Sequence, residues 1–379
     1  MALPPLAAAA VINAAAGTLF SWSVLLPALA TDFSAGSRLV ASTFSTAIAA
    51  FALAVVAAGR AVDRYGPRRT SAAAGVLSGA GLTVTALAQH LVVLHVGYGL
   101  LFGAGSGLAY SSVVTWTSTR TGSSSGSATS VGVVVAAYAA GPIVAGPVAG
   151  LGTSAWGWRP TVLVGAATVT TVTVLASRLL PDGVAARRAP GEPTRDSDRP
   201  ALTALWLLFL AGTMPGLFAF TYAASLATDR GLPPHLGGLA VAAMGSGNLI
   251  GRLLAGALAD RVGLRWALRA DLALLGIALA ALAWLPGRAA VLLALPAVAV
   301  QYGALSSLLP TAVRRVCEPS HFGNAYGLVF SSWGLAGVLA PALRDPGTSA
   351  AALNSWLPLA AAVLVGLVAY ERRLAPRWG

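Results

Sequence analysis

Twelve apolar runs, each close to the roughly 20 residues that carry a helix across a hydrocarbon core about 30 Å thick, constrain this chain more than any other feature. Inside lipid every backbone N–H and C=O must be satisfied within the protein, so such runs are read as helices. They fall near 6–28, 39–59, 71–88, 91–115, 128–150, 160–180, 202–226, 236–258, 268–286, 289–311, 324–343 and 352–370. Only 9% of the 379 residues are charged, against about 25% in a water-soluble protein. Much of the surface must therefore face lipid. The opening stretch "MALPPLAAAAVINAAAGTLFSWSVLLPALA" has no basic segment ahead of its apolar run, so it is read as the first span rather than a cleaved leader.

Charge orients the spans. The net charge is +12, and all 24 basic residues are arginine. These arginines sit in short loops between spans, so topology rather than nucleic acid accounts for them. With both termini and residues 181–200 placed in the cytoplasm, 18 arginines lie on the inner side and five (Arg38, Arg159, Arg230, Arg288 and Arg344) on the outer. The bias follows the positive-inside rule. One arginine, Arg252, belongs to neither side. The single cysteine, Cys317, leaves no internal disulfide and no multi-cysteine metal site. No cofactor or metal is expected. The spans hold no His-Glu-x-x-His, no paired carboxylates and no nucleophile with a base at helical spacing, which argues against a membrane enzyme.

The chain repeats itself. "GRAVDRYGPRR" (59–69) follows the second span and "GALADRVGLR" (256–265) follows the eighth, with the same offset of 197 between Gly59 and Gly256 and between Asp63 and Asp260. Between the halves lies the polar, proline-rich "PDGVAARRAPGEPTRDSDRP" (181–200). The expected plan is a bundle over 1–180, a cytoplasmic linker over 181–200 and a second bundle over 201–379. Such duplication places a substrate site near the midplane between the halves. Gly59 and Gly256 are expected to let helices approach closely. Asp63 and Asp260 are expected to accept from helix N-terminal amides and pair with arginine, and Gly66 and Gly263 to permit the turn.

This pattern, Gly59-x-x-x-Asp63-Arg64-x-Gly66-x-Arg68 echoed by Gly256, Asp260, Arg261, Gly263 and Arg265, resembles the signature loop of the major facilitator superfamily. The resemblance implies an all-α membrane protein of 12 transmembrane helices in two pseudo-symmetric six-helix bundles. In that family these loops latch the cytoplasmic side while the outer side is open. "GPIVAGPVAG" (141–150) resembles the fifth-span motif of antiporters with its spacing one residue off. Close packing and kinking are the plainer reading of those residues.

Arg252 lies eight residues before Asp260, about 12 Å into a helix rising about 1.5 Å per residue. That is near the midplane of the bilayer, too deep to snorkel comfortably, at a cost of about 2.5–3.5 kcal/mol on insertion scales. A guanidinium cannot escape this cost by losing its proton. The equivalent position in the first half is Val55. No acid in the spans offers a clear partner, and Asp271, near the start of the ninth, is expected at the cytoplasmic rim. Such a cation should face a water-filled cavity and bind a mobile anion, its planar fork matching a carboxylate. The plainer alternative is an arginine satisfied by carbonyls or water.

Three stretches, "FSWSVLLPALATDFSAGSRLVASTFSTAIAAFALAVVAAGRAVDRYGPRR" (20–69), "GNLIGRLLAGALADR" (247–261) and "NAYGLVFSSWGLAGVLAP" (324–341), are similar to the oxalate/formate antiporter and monocarboxylate transporter group. The resemblance implies that Arg252 engages a substrate carboxylate. Where proton-coupled members carry an aspartate this chain has Asn248, and where the oxalate antiporter carries a lysine it has Trp333. One cation favours monocarboxylates over oxalate. The missing carboxyl favours exchange over tight proton symport, although His95, His235 or His321 can titrate. Further candidates for the cavity wall are Tyr326, Phe330 and Trp333 at helical spacing, then Tyr222, Tyr110, Gln301, Tyr302 and Asn13.

The expected partners are a small carboxylate and membrane lipid, with no nucleic acid, and the chain is expected to act as a monomer in the cell inner membrane. A multidrug or other solute exporter of the same fold, a proton-coupled symporter and a non-transporting sensor stand as alternatives.

Overall fold

The computed structural model describes residues 3–120, 127–182, 199–285, 287–317, 322–343, 361, 363 and 365–375. Among these every regular element is helical. The spans are α1 (Pro4–Asp32), α2 (Ser37–Ala58), α3 (67–86), α4 (Leu91–Thr117), α5 (Ser130–Trp156), α6 (Trp158–Ser177), α7 (Arg199–Asp229), α8 (Pro234–Val262), α9 (Leu264–Trp284), α10 (Gly287–Arg314) and α11 (Ala325–Leu343). A twelfth, α12, is described from 365 to 374. Most of the linker, 183–198, and most of the expected last span lie outside the described residues. The fold is the twelve-helix arrangement expected from the apolar runs.

Several spans depart from uniform α-helix, the first and fourth among them. The first span tightens into a 3-10 turn over Thr18–Ser21 before resuming at Trp22. The fourth widens into a π-helical stretch over His95–Phe102. Continuous apolar runs give no sign of either change.

The internal repeat is visible in the backbone. Gly66 adopts φ 79°, ψ 163° between α2 and α3, and Gly263 adopts φ 83°, ψ 153° between α8 and α9. Only glycine occupies that region without strain, so both signature loops turn at the residue the repeat specified. At the opposite face, Arg159 donates to the carbonyl of Ala88 (2.8 Å) and Arg230 to that of Leu285 (2.8 Å). These carbonyls, again 197 residues apart in the sequence, end α3 and α9. Arginines that depart from the charge bias thus cap helix ends that would otherwise hold unpaired carbonyls.

Ion pairs tie each half internally. Arg68 pairs with Asp182 across α3 and the residues after α6. Arg269 grips Glu371 with two bonds of 2.9 and 3.0 Å, joining α9 to α12.

Among the described residues the closest packing between the halves lies towards one face. On the face opposite the signature loops, a Cβ placed on Gly238 of α8 would overlap the carbonyl of Gly146 on α5, and one on Gly337 of α11 would overlap Ile48 of α2. The "GPIVAGPVAG" stretch therefore works as a close-packing seam. Towards the loop face the same helices separate: a Cβ on Gly132 of α5, Gly256 of α8 or Gly327 of α11 meets nothing within 4 Å. Gly256, expected to allow close approach, meets no described neighbour in this state. Asp260 is exposed and pairs with no described arginine. The surroundings of Gly59 and the side chain of Asp63 are outside the described set.

Candidate functional site

The site begins with a seam of small residues. On α8, a Cβ on Gly247 would lie 2.5 Å from the carbonyl of Pro296, and one on Gly251 would overlap that of Val300. On α10, Gly303 leaves room only for the backbone of Asn248. Backbone-to-backbone contact of this kind fixes the rotation of α8 against α10, and with it the direction in which Asn248 and Arg252 project.

Asn248 is 3% exposed, and its Oδ1 accepts a hydrogen bond of 3.0 Å from Nε of Arg252. The two residues are four apart, so they stack on one face. The amide thereby engages Nε and not the two terminal nitrogens. The guanidinium also interacts with the Tyr110 hydroxyl on α4. Tyr138, Tyr302 and Tyr326 are within electrostatic reach. Arg252 takes part in none of the ion pairs formed between described residues.

Aromatic rings build the rest of the wall from both halves. Trp333 donates from Nε1 to the Tyr302 hydroxyl at 2.6 Å. It stacks on Phe330 with centroids 5.4 Å apart and planes at 26°, and Phe330 leans on Tyr326 at 5.7 Å. From the first half Phe51 meets Trp333 at 5.2 Å and Tyr110 at 5.7 Å. Tyr138 sets its edge against Tyr110 at 5.4 Å. Its hydroxyl is held by Ser106 at 3.1 Å. Phe20 then bridges Phe220 (4.8 Å), Tyr302 (6.4 Å) and Phe44 (5.6 Å), closing the chamber on the face away from the signature loops.

Seven of the residues proposed from sequence thus come together: Arg252, Asn248, Trp333, Tyr326, Phe330, Tyr110 and Tyr302. Three are engaged elsewhere. Tyr222 donates to the carbonyl of Pro341 (2.9 Å), Asn13 to that of Val134 (2.5 Å), and Gln301 to Asp271 (2.8 Å). The last bond corrects the placement of Asp271. It is buried at 5% exposure rather than seated at the rim, because α10 supplies a polar partner for it inside the bundle.

Phe51, Tyr138 and Phe20 went unnoticed in the sequence. Phe51 lies within the second-span stretch that carried the family likeness, and Tyr138 stands just before the Gly-Pro run. Neither is marked by charge or spacing, so only packing reveals them.

Comparison with known proteins agrees with this architecture. A model of the Major Facilitator Superfamily matches residues 6–341. The chain is 24% identical over 355 residues to the uncharacterized MFS-type transporter YhjX of Escherichia coli K12, covering 86% of this chain and 83% of that one. It is 30% identical over 269 residues to human monocarboxylate transporter 11, covering 67% of this chain and 55% of that one. The mouse counterpart gives 27% over 375 residues, covering 96% of this chain and 73% of that one. Among solved structures, a bacterial homolog of the human lysosomal transporter Spinster, in its inward-facing and occupied conformation, superposes with a TM-score of 0.75 at 16% identity over 99% of this chain and 96% of that one. Twelve helices, paired signature turns and an aromatic cluster drawn from both halves around Arg252 fit a multi-pass transporter rather than an enzyme. The chain belongs to the Major Facilitator Superfamily.

Proposed function

We propose that the chain moves a small organic anion, a monocarboxylate, by alternating access between its halves, 1–180 and 201–379. The observation that carries this reading is Arg252, which its own protein orients through Asn248 but does not neutralise with any described carboxylate. A permanent charge in a low-dielectric chamber is costly unless paired, and a carboxylate can take the two terminal N–H groups as a fork. The stacked rings of Phe330 and Trp333 suit the apolar remainder of such an anion. A cationic drug would be repelled by the same charge.

One cation in the chamber fits a single carboxylate better than oxalate. With Asn248 where proton-coupled relatives hold an acid, exchange of one anion for another is favoured over tight proton symport. The arginine bias places the signature loops in the cytoplasm. On this reading the open loop face corresponds to an inward-facing state, both termini are cytoplasmic, and the carrier works as a monomer in a bacterial inner membrane.

A thermal-shift panel of formate, lactate, pyruvate and oxalate tests the reading. At least one monocarboxylate should raise the Tm of the wild type and leave Arg252→Gln unchanged, because a ligand stabilises only the form that binds it. Equal stabilisation of both proteins would remove the carboxylate assignment.

A further inference from the structure

Asp271 has no part in the carrier described so far. Its carboxyl lies on α9, 5% exposed, and receives a single hydrogen bond, 2.8 Å from Nε2 of Gln301 on α10 to its Oδ2. Its Oδ1 and the Oε1 of Gln301 are both buried without a hydrogen-bond partner. Two acceptors therefore lack a hydrogen, and a potential negative charge lacks a cation.

The charged and titratable groups on the elements packed around it are committed elsewhere or remote. On α9 itself, Arg269 is bound to Glu371. Arg265 lies at the loop end of that helix, six residues before Asp271; its carbonyl accepts from Tyr370, and its Nε is buried without a hydrogen-bond partner. On α8, Arg252 is bound to Asn248, and Asp260 and Arg261 are exposed at the loop end. On α10, Tyr302 accepts from Trp333, and Arg314 and Arg288 lie at the helix ends. The π-helical turn Ala290–Ala294 brings no ionisable group. Behind Gln301 stands Gly212 of α7.

An ionised carboxylate in that position gives up hydration that one amide N–H cannot replace. One proton removes the charge and provides a donor for one of the two acceptors. The oxygen and nitrogen of an amide are interchangeable in shape. With the Gln301 amide turned over, Oε1 occupies the 2.8 Å position and accepts from a protonated Oδ2.

We propose that Asp271, with Gln301 beside it, is a proton-binding site distinct from Arg252, and that net anion movement, unlike exchange, depends on it. This rests on the carrier reading above and supplies a proton site that Asn248 cannot. A proton from water on one side of the membrane joins the carboxylate oxygen, and the same O–H bond later breaks to water on the other side; no electrons move. The link to the chamber is short. Gln301 and Tyr302 are neighbours on α10, one turned to Asp271 and the other to Trp333 and the Arg252 chamber, so a shift of that helix is felt at both sites.

Infrared spectroscopy of the whole protein in lipid reads the proton directly, whatever anion is carried. At neutral pH the wild type should show a protonated-carboxyl band that Asp271→Asn lacks. Gln301→Leu should keep the band at a different frequency, which guards against a misfolded variant. In proteoliposomes with lactate and formate as probes, an acid exterior should drive net uptake by the wild type. That uptake should fall by an order of magnitude in Asp271→Asn, while counterflow at equal pH stays near the wild-type rate. An unchanged band in Asp271→Asn, or undiminished acid-driven uptake, overturns the proposal. Failure of every probe to exchange would count against the carboxylate reading alone, since the infrared result stands without it.

Discussion

A single side chain shows how position decides chemistry. Arg252 would be unremarkable in a loop. Within α8, fastened by Asn248 and near tyrosines of both halves, it becomes the recognition element that we propose for the anion. Its neighbours are held almost as firmly. Tyr302→Phe would leave Nε1 of Trp333, 4% exposed, without its acceptor. An orphaned buried donor costs about 1–3 kcal/mol, so the thermal unfolding temperature should drop. Tyr326→Phe, which leaves that bond intact, should change it less. The sequence made the arginine legible because depth can be counted from Asp260. It could not show that Gln301 turns from the chamber to Asp271, since facing direction depends on how α10 is rotated against α9.

Among the elements, the signature loops repay the closest comparison. Their glycines were legible, but not all for the same reason. Gly66 and Gly263 hold a backbone conformation that side chains strain, while Gly256 faces open space in this state. Gly66→Ala and Gly263→Ala should each cost about 1–3 kcal/mol of stability, read as a fall in Tm, and Gly256→Ala should not. If Gly256 serves close approach, it does so when the loop face shuts, and Gly256→Val should then slow transport without lowering Tm. The α8–α10 seam was invisible as such, because Gly247, Gly251 and Gly303 are ordinary in membrane helices until the partner carbonyl is seen. The breaks in the first and fourth spans were hidden for a related reason: uniform apolarity sets a helix in lipid without setting its pitch.

Across the whole molecule, the contacts sort by face. Close packing joins the halves away from the signature loops, and no ion pair between described residues joins one half to the other. Under the proposed alternating access, the pairs within each half would help it to move as a unit. The hydrogen bond from Arg269, with its charge behind it, holds the Glu371 carboxyl below the usual glutamate value of about 4.3. A carboxyl shifted this way adds stability above its unfolded value, and that stability disappears as pH falls through the lowered folded value. Glu371→Gln should therefore unfold at a slightly lower temperature than wild type at neutral pH and converge with it in acid. Because the pair is 28% and 40% exposed, added salt should shrink the difference.

The most direct measurement of the central claim compares one monocarboxylate with its uncharged amide on two proteins. If Arg252 holds the carboxylate, wild type should bind the acid roughly 10–100-fold tighter than the amide, as a charge-assisted pair worth about 1.5–3 kcal/mol requires, and Arg252→Gln should show no preference. An Arg252→Gln protein that still favours the acid to the wild-type degree would place the anion on some other group, and the account of this chamber would fail.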